Sequence, residues 1–305
     1  MSITAVVILQ RNAVLAKVGD GGKICVFTLA ATDLVIDVNG FIPAGASTES
    51  VPPGRVLESR SGLAYQTVDD LFEGVGRVGA GQVAELKVTG RAGVPDDAEA
   101  VFLNVVAVNP SGPGYLTVFP CGSTAPLAAN VNYSGGDIAA NAVLAKVGDG
   151  GKICVFTLAA TDLVIDVNGF IPAGASTESV PPGRVLESRS GLAYQTVDDL
   201  FEGVGRVGAG QVAELKVTGR AGVPDDAGAV FLNVVAVNPS GPGYLTVFPC
   251  GSTAPLAANV NYSGGDIAAN AVLAKVGDGG KICVFTLAAT DLVIDVNGFT
   301  PAAIG

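Results

Sequence analysis

Five cysteines are the residues whose type and spacing most directly suggest chemistry. Cys121 and Cys154 lie 33 residues apart, Cys250 and Cys283 have the same spacing, and Cys25 is left over. Even pairs at a fixed interval suggest one disulfide each and an oxidising compartment. The alternative is two buried thiols per unit, since a free cysteine behaves as a small core hydrophobe. A zinc site is disfavoured, because histidine is wholly absent and no CxxC pair occurs.

The missing histidine also removes the usual general base, so neither a Ser/His/Asp nor a Cys/His arrangement can be assembled. Paired carboxylates stand at Asp69–Asp70 and Asp96–Asp97. Such a pair can serve glycoside hydrolysis, but adjacent acids in a polar loop are far more often solvated charge. A literal GxGxxG occurs at Gly74, Gly76 and Gly79. It is followed by a strand pattern instead of a helix, so it reads as a turn and not a dinucleotide cradle. Gly148–Gly151 before Lys152 lacks the phosphate-loop spacing and reads as a hairpin turn. Asp166, Asn168 and Gly169, with Asp137 and Asp149, offer oxygens to calcium, yet no DxDxDG run is present and turn roles are favoured. No catalytic, cofactor or metal residues are assigned on these grounds, and the chain is read as not an enzyme.

Tryptophan is absent, so any carbohydrate platform would rest on tyrosine: Tyr65, Tyr115 and Tyr133, recurring as Tyr194, Tyr244 and Tyr262. Tyr115, Tyr133, Tyr244 and Tyr262 are the candidate ligand contacts, against the alternative that they pack at sheet edges with wet hydroxyls. Asn132-Tyr-Ser and Asn261-Tyr-Ser fit a glycosylation acceptor.

The elements that must position these residues follow from a repeat. The segment NAVLAKVGDGGKICVFTLAATDLVIDVNGF begins at Asn12, Asn141 and Asn270, in steps of 129 residues. Between 12–170 and 141–299 the sole difference is Glu99, which becomes Gly228; Ile171 then corresponds to Thr300. This period is too long for a solenoid unit and fits a self-contained domain. The Pro-, Gly- and Ser-rich stretch FIPAGASTESVPPGR at 41–55 and 170–184 marks the boundary. Complete modules are thus expected at 46–171 and 175–300, with residues 1–42 the C-terminal part of another. Read one base out of frame in a suitable codon choice, NVNYSGGDIAA yields MSITAVVILQ, so residues 1–11 are expected to be a frame-shifted copy of the same repeat. Cys25 is then the equivalent of Cys154 without its partner.

Within a module, period-2 alternation predicts about eight strands: 54–60, 83–90, 100–109, 114–121, 128–134, 141–147, 152–159 and 161–169. Residues 100–109 are apolar on both faces, as for a central strand, and 67–75 could form one helical turn. The expected fold is all-β, tandem β-sandwiches of immunoglobulin-like or jelly-roll type. The partial module is expected to supply three strands with unpaired edges, unless MSITAVVILQ adds a fourth.

A formal charge of −11 argues against nucleic acid, and no apolar run approaches a membrane span. The stretches PPGRVLESRSG, GPGYLTVFPCG and ATDLVIDVNGF resemble a repeat of secreted and cell-surface actinobacterial proteins, found in tandem or beside peptidase or cell-wall amidase domains. The resemblance covers both complete modules and implies an exported accessory module, located outside the cell or at its surface. It brings no catalytic residues, cofactor or established ligand. Function is therefore expected to be a structural or adhesive array, a spacer or surface-contact module. The other reading is a glycan-binding module serving a secreted hydrolase. Partners would be cell-wall glycan or another surface protein.

Overall fold

The computed structural model describes residues 12–16, 18–31, 33–38, 41, 48–62, 66–191 and 195–302. Strands fall into two sets of eight. The first comprises β1 (Glu49–Glu58), β2 (Val83–Lys87), β3 (Ala100–Val108), β4 (Gly114–Pro120), β5 (Val131–Tyr133), β6 (Ile138–Lys146), β7 (Lys152–Thr157) and β8 (Asp162–Ile171). The second comprises β9 (Glu178–Glu187), β10 (Val212–Lys216), β11 (Ala227–Val237), β12 (Gly243–Pro249), β13 (Val260–Tyr262), β14 (Ile267–Lys275), β15 (Lys281–Thr286) and β16 (Asp291–Pro301).

The first set builds one sheet in the order β1-β8-β3-β6 and another in the order β2-β7-β4-β5, with every pairing antiparallel. The second set repeats this as β9-β16-β11-β14 and β10-β15-β12-β13. All connections but β4–β5 and β12–β13 cross from one sheet to the other, which makes each set a jelly roll and not an immunoglobulin-like sandwich. Between the first pair of sheets lies an apolar core that includes Val56, Leu86, Leu103, Leu116, Ile153 and Ile165. Its counterpart holds Val185, Leu215, Leu232, Leu245, Ile282 and Ile294. The alternation of 161–169 works as the pattern requires, with Leu163, Ile165 and Val167 fully buried on the inner face of β8.

Three local expectations are corrected. Gly148–Gly151 is not a hairpin: β6 and β7 lie in different sheets, and a 3-10 turn at Asp149–Gly151 carries the chain across. The turn packs so closely that a Cβ on Gly148 would sit 2.2 Å from the Cys121 carbonyl oxygen. Residues 67–75 form no helical turn, since Asp70 and Phe72 adopt positive φ of 60° and 59°, which no α-helix accommodates. The Pro-rich stretch before Arg55 is not wholly linker either. β1 begins at Glu49 and takes in Pro52 and Pro53, with a register shift between Ser50 and Gly54. Prolines are tolerated there because β1 is an edge strand, paired only with β8. The connection between the two sandwiches shrinks accordingly to 172–177.

The expected three strands of the partial module are absent among the described residues of 12–41, which hold only a 3-10 turn at Asp20–Gly22. The topology explains this. Residues 12–38 correspond to β6, β7 and β8, none of which pairs with another; β6 and β8 need β3, and β7 needs β2 and β4. Without those partners the described residues of the segment form no strand, and Phe27 and Leu29 are exposed. The makeshift strand suggested for MSITAVVILQ lies outside the described residues.

The one internal difference between the repeats also has a structural effect. β11 starts at Ala227, whereas β3 starts at Ala100, so β11 runs 11 residues against 9. At Gly228 a Cβ would approach Ala302 Cα to 2.7 Å, and the missing side chain lets Ala227 pair with Pro301. Glu99, by contrast, accepts a hydrogen bond from the Gly174 amide of the connection at 3.3 Å.

Candidate interaction site at the sandwich junction

Both cysteine pairs are bridged, Cys121 to Cys154 and Cys250 to Cys283, each with Cα atoms 5.0 Å apart. The bridge joins neighbouring strands of one sheet and not the two sheets. Cys121 lies just beyond β4, and Cys154 sits on β7 opposite Phe119. Side-chain alternation puts this staple on the outer face, in a small cluster with Phe119, Ala125 and Phe156 apart from the main core. Cys25 is a free, exposed thiol.

Two of the four candidate tyrosines are corrected. Tyr133 and Tyr262 are buried core residues unable to meet a ligand. The Tyr133 hydroxyl is 2.8 Å from Thr157 Oγ1 and accepts from the Ala159 amide at 2.9 Å, and Tyr262 repeats this with Thr286 and Ala288. These bonds tie β5 to the end of β7, so Tyr133→Phe is expected to cost the first sandwich about 1–2 kcal/mol by leaving the Ala159 amide short of its acceptor. Unchanged thermal unfolding would contradict this. Tyr115 and Tyr244 are half-buried, with ring centroids 5.8 Å and 5.9 Å from Phe156 and Phe285. Tyr65 and Tyr194 lie outside the described residues.

The acidic candidates are spoken for or dispersed. Asp69 receives a two-pronged bond from Arg91, Nε to Oδ2 at 2.6 Å and Nη2 to Oδ1 at 2.7 Å. Chiefly through these bonds, against an opposing effect of burial, its carboxyl is held below the ordinary range. Arg91 also lies over the Phe72 ring, 4.9 Å from its centroid. Asp96 and Asp97 are exposed, and Asp166 pairs with Arg55 at 2.9 Å. Among the described residues no three His, Cys, Asp or Glu side chains converge as metal ligands. The glycines at 74–81 form turns closed by Val78–Thr161 bridging, with no helix following.

The most elaborate polar arrangement lies where the sandwiches meet, and it was not anticipated. Here β6 of the first sandwich and the loop before β5 lie against the outer face of the β9-β16-β11-β14 sheet. Asn141 Nδ2 donates to its own sandwich at Asn130 O (2.7 Å) and across the junction to Asn233 Oδ1 (2.9 Å). Its Oδ1 accepts from the Ala271 amide at 2.9 Å, and Asn233 Nδ2 donates to Ala129 O. Every polar atom of Asn141 is thereby used within a buried contact. Beside it Leu144 fills a cluster with Ala100, Ile171, Phe102 and Phe231, the two rings 5.6 Å apart.

Comparing equivalent positions shows what the junction buries. Arg55 and Asp166 on the first sandwich keep 27% and 22% of their side chains exposed, whereas Arg184 and Asp295 on the second keep 9% and 1%. The sequences are the same here, so the neighbour makes the difference. Burial pushes the Asp295 carboxyl above its ordinary range, opposed by the charge and hydrogen bond of Arg184 and by the nearby Ala129 amide, with Glu187 adding to the rise. A smaller copy of this contact stands at the other end: Asn12 Nδ2 donates to Asn104 Oδ1 at 2.8 Å. Leu15 approaches Gly169 as Leu144 approaches Gly298. A sequence signal for the junction did exist. Asn104 and Asn141 interrupt otherwise apolar strands, and a polar side chain in such a run needs a partner.

Fold and junction together define a pair of jelly rolls in contact through an Asn-centred interface, each stapled by one disulfide. No family model matches this chain, and no curated protein or solved structure matches it significantly. No helix among the described residues is long and apolar enough to cross a membrane.

Proposed function

We propose that this chain is a non-catalytic structural array, a spacer or surface-contact stalk exposed outside the cell. One observation carries the reading: the same Asn-centred contact joins successive units, Asn12 to Asn104 and Asn141 to Asn233. A module whose neighbour-facing surface is more elaborate than any cleft is organised for stacking, which supplies reach and avidity without new chemistry. The disulfides favour an oxidising compartment, and the actinobacterial cell-surface resemblance of the sequence agrees with that location. The glycan-binding reading is weakened, since its platform would be reduced to Tyr115 and Tyr244.

Small-angle X-ray scattering on the full chain tests the reading. A fixed junction gives a single elongated shape, and Leu144→Asp is expected to broaden the distance distribution by freeing the sandwiches to pivot about 172–177. Equally broad profiles for parent and variant would reduce the array to independent beads. Saturable binding to purified cell wall, lost on Tyr115→Ala, would favour the glycan reading instead.

A further inference from the structure

The second sandwich carries the donor half of the same junction, and none of the described residues fills the place that Ala271 takes at Asn141. We infer that this face docks the first sandwich of a second copy of the chain, so that chains associate head to tail. The argument starts from Asn270, the equivalent of Asn141. It is 6% exposed and donates through Nδ2 to Asn259 O at 2.8 Å, as Asn141 does to Asn130. Its Oδ1, however, is buried without a hydrogen-bond partner, where Asn141 Oδ1 holds the Ala271 amide of the neighbouring sandwich. Buried amide oxygens are rarely left orphaned, and here the missing donor is known from the occupied copy of the site. The apolar surroundings follow suit. Leu144 is buried at the junction, while its equivalent Leu273 is only half-buried; Leu127 is 64% exposed, while Leu256 is 103% exposed.

The complementary surface is the outer face of β1-β8-β3-β6. It offers Asn104 Oδ1 and the Ala142 amide where the second sandwich uses Asn233 and Ala271. Among the described residues of the chain, the short segment around Asn12–Leu15 covers part of that face and leaves Arg55 and Asp166 partly exposed. A second copy brings a whole strand, β14, together with the loop before β13, and displaces that segment. Because donor and acceptor faces differ, the contact is heterologous and does not close on itself; each added chain leaves a fresh donor face. Thr300 in place of Ile171 removes one apolar member of the cluster, and no connecting peptide raises the local concentration, so association between chains is weaker than the internal junction.

Sedimentation velocity and light scattering on the full, oxidised chain from micromolar to millimolar concentration provide the test. The weight-average mass is expected to rise with concentration above the 30.3 kDa of one chain. Leu15→Asp, which loosens the displaced segment, should shift this rise to at least tenfold lower concentration. Leu256→Asp, at a fully exposed position where folding is not at risk, should shift it at least tenfold higher, and Leu273→Asp should abolish it. A constant single-chain mass for both the parent and Leu15→Asp would overturn the inference. So would association that is indifferent to Leu256→Asp and Leu273→Asp, which would place the contact on another surface. Because these measurements concern only contacts between chains, they can fail while the scattering test of the internal junction succeeds.

Discussion

Replacing both Cys121 and Cys154 by serine is expected to lower the stability of the first sandwich by about 4 kcal/mol, or its melting temperature by roughly 10–20 °C. The bridge spans 33 residues of sequence and closes the loop that contains β5 and β6. In the folded state it contributes little packing to the main core, because it sits on the outer face of its sheet with Phe119, Ala125 and Phe156. Its effect therefore acts mainly on the unfolded chain, whose loop it holds closed. The second sandwich supplies an internal reference, since it has nearly the same sequence and keeps its own bridge from Cys250 to Cys283. Calorimetry of the double variant should split the unfolding profile into two transitions, the upper one close to the parent's. A profile indistinguishable from that of the parent would refute the stapling role.

The second large effect is expected at Glu58, whose side chain is 1% exposed. Its carboxylate accepts from Arg60 Nε at 2.7 Å, Arg60 Nη2 at 2.8 Å, the Arg60 amide at 3.2 Å and Arg55 Nη1 at 3.3 Å. Burial alone would raise its pKa; the side-chain and backbone bonds of Arg60, with the charges of Arg60 and Arg55, outweigh it and hold the carboxyl below the ordinary range. Glu58→Ala removes the carboxylate that both arginines share and is expected to cost about 3 kcal/mol, the lower end for a broken buried pair because both guanidinium groups keep some solvent and Arg55 retains Asp166.

The pH dependence follows from the depressed pKa. The stabilisation from Glu58 is complete above the ordinary carboxylate pKa and is lost as pH falls through the lower value of the folded state. Asp69 and Asp198, held down chiefly by Arg91 and Arg220, behave alike. The gap in melting temperature between parent and Glu58→Ala should therefore shrink on acidification below about pH 4. A gap that is constant with pH would rule out this electrostatic account. Asp295 works in the opposite direction. Its carboxyl is raised by burial at the junction, so docking is favoured at low pH and weakened as pH rises through that raised value. Acid thus loosens the sandwiches while relieving the contact between them.

Much of the architecture was legible in the chain itself. The alternation of Leu163, Ile165 and Val167 with Asp166 and Asn168 specifies an inner and an outer face for β8 whatever its partners. The doubly apolar run from Ala100 to Asn109 marks β3 as central. The all-β class and the equal spacing of the cysteine pairs follow from local pattern alone, because side-chain alternation and turn residues act over a few positions.

Only the tertiary structure decided which strands pair, and that decision changed the reading wherever partners lie far apart in sequence. Gly148–Gly151 looked like a hairpin because β6 and β7 are adjacent in the chain, yet the jelly-roll order sends them to different sheets. For the same reason residues 12–38 read as three strands, yet the described ones form none: their sequence fixes a preference, but hydrogen bonds to β1, β2, β3 and β4 are what turn the preference into a sheet. Tyr133 looked available until the Thr157 hydroxyl and the Ala159 amide claimed it. Asn141 signals a need for a partner by interrupting an apolar strand, but the local sequence does not say which surface supplies it, and Asp295 shares its sequence surroundings with the more exposed Asp166. Sequence determined the module and its staple; the contact between distant surfaces determined the array.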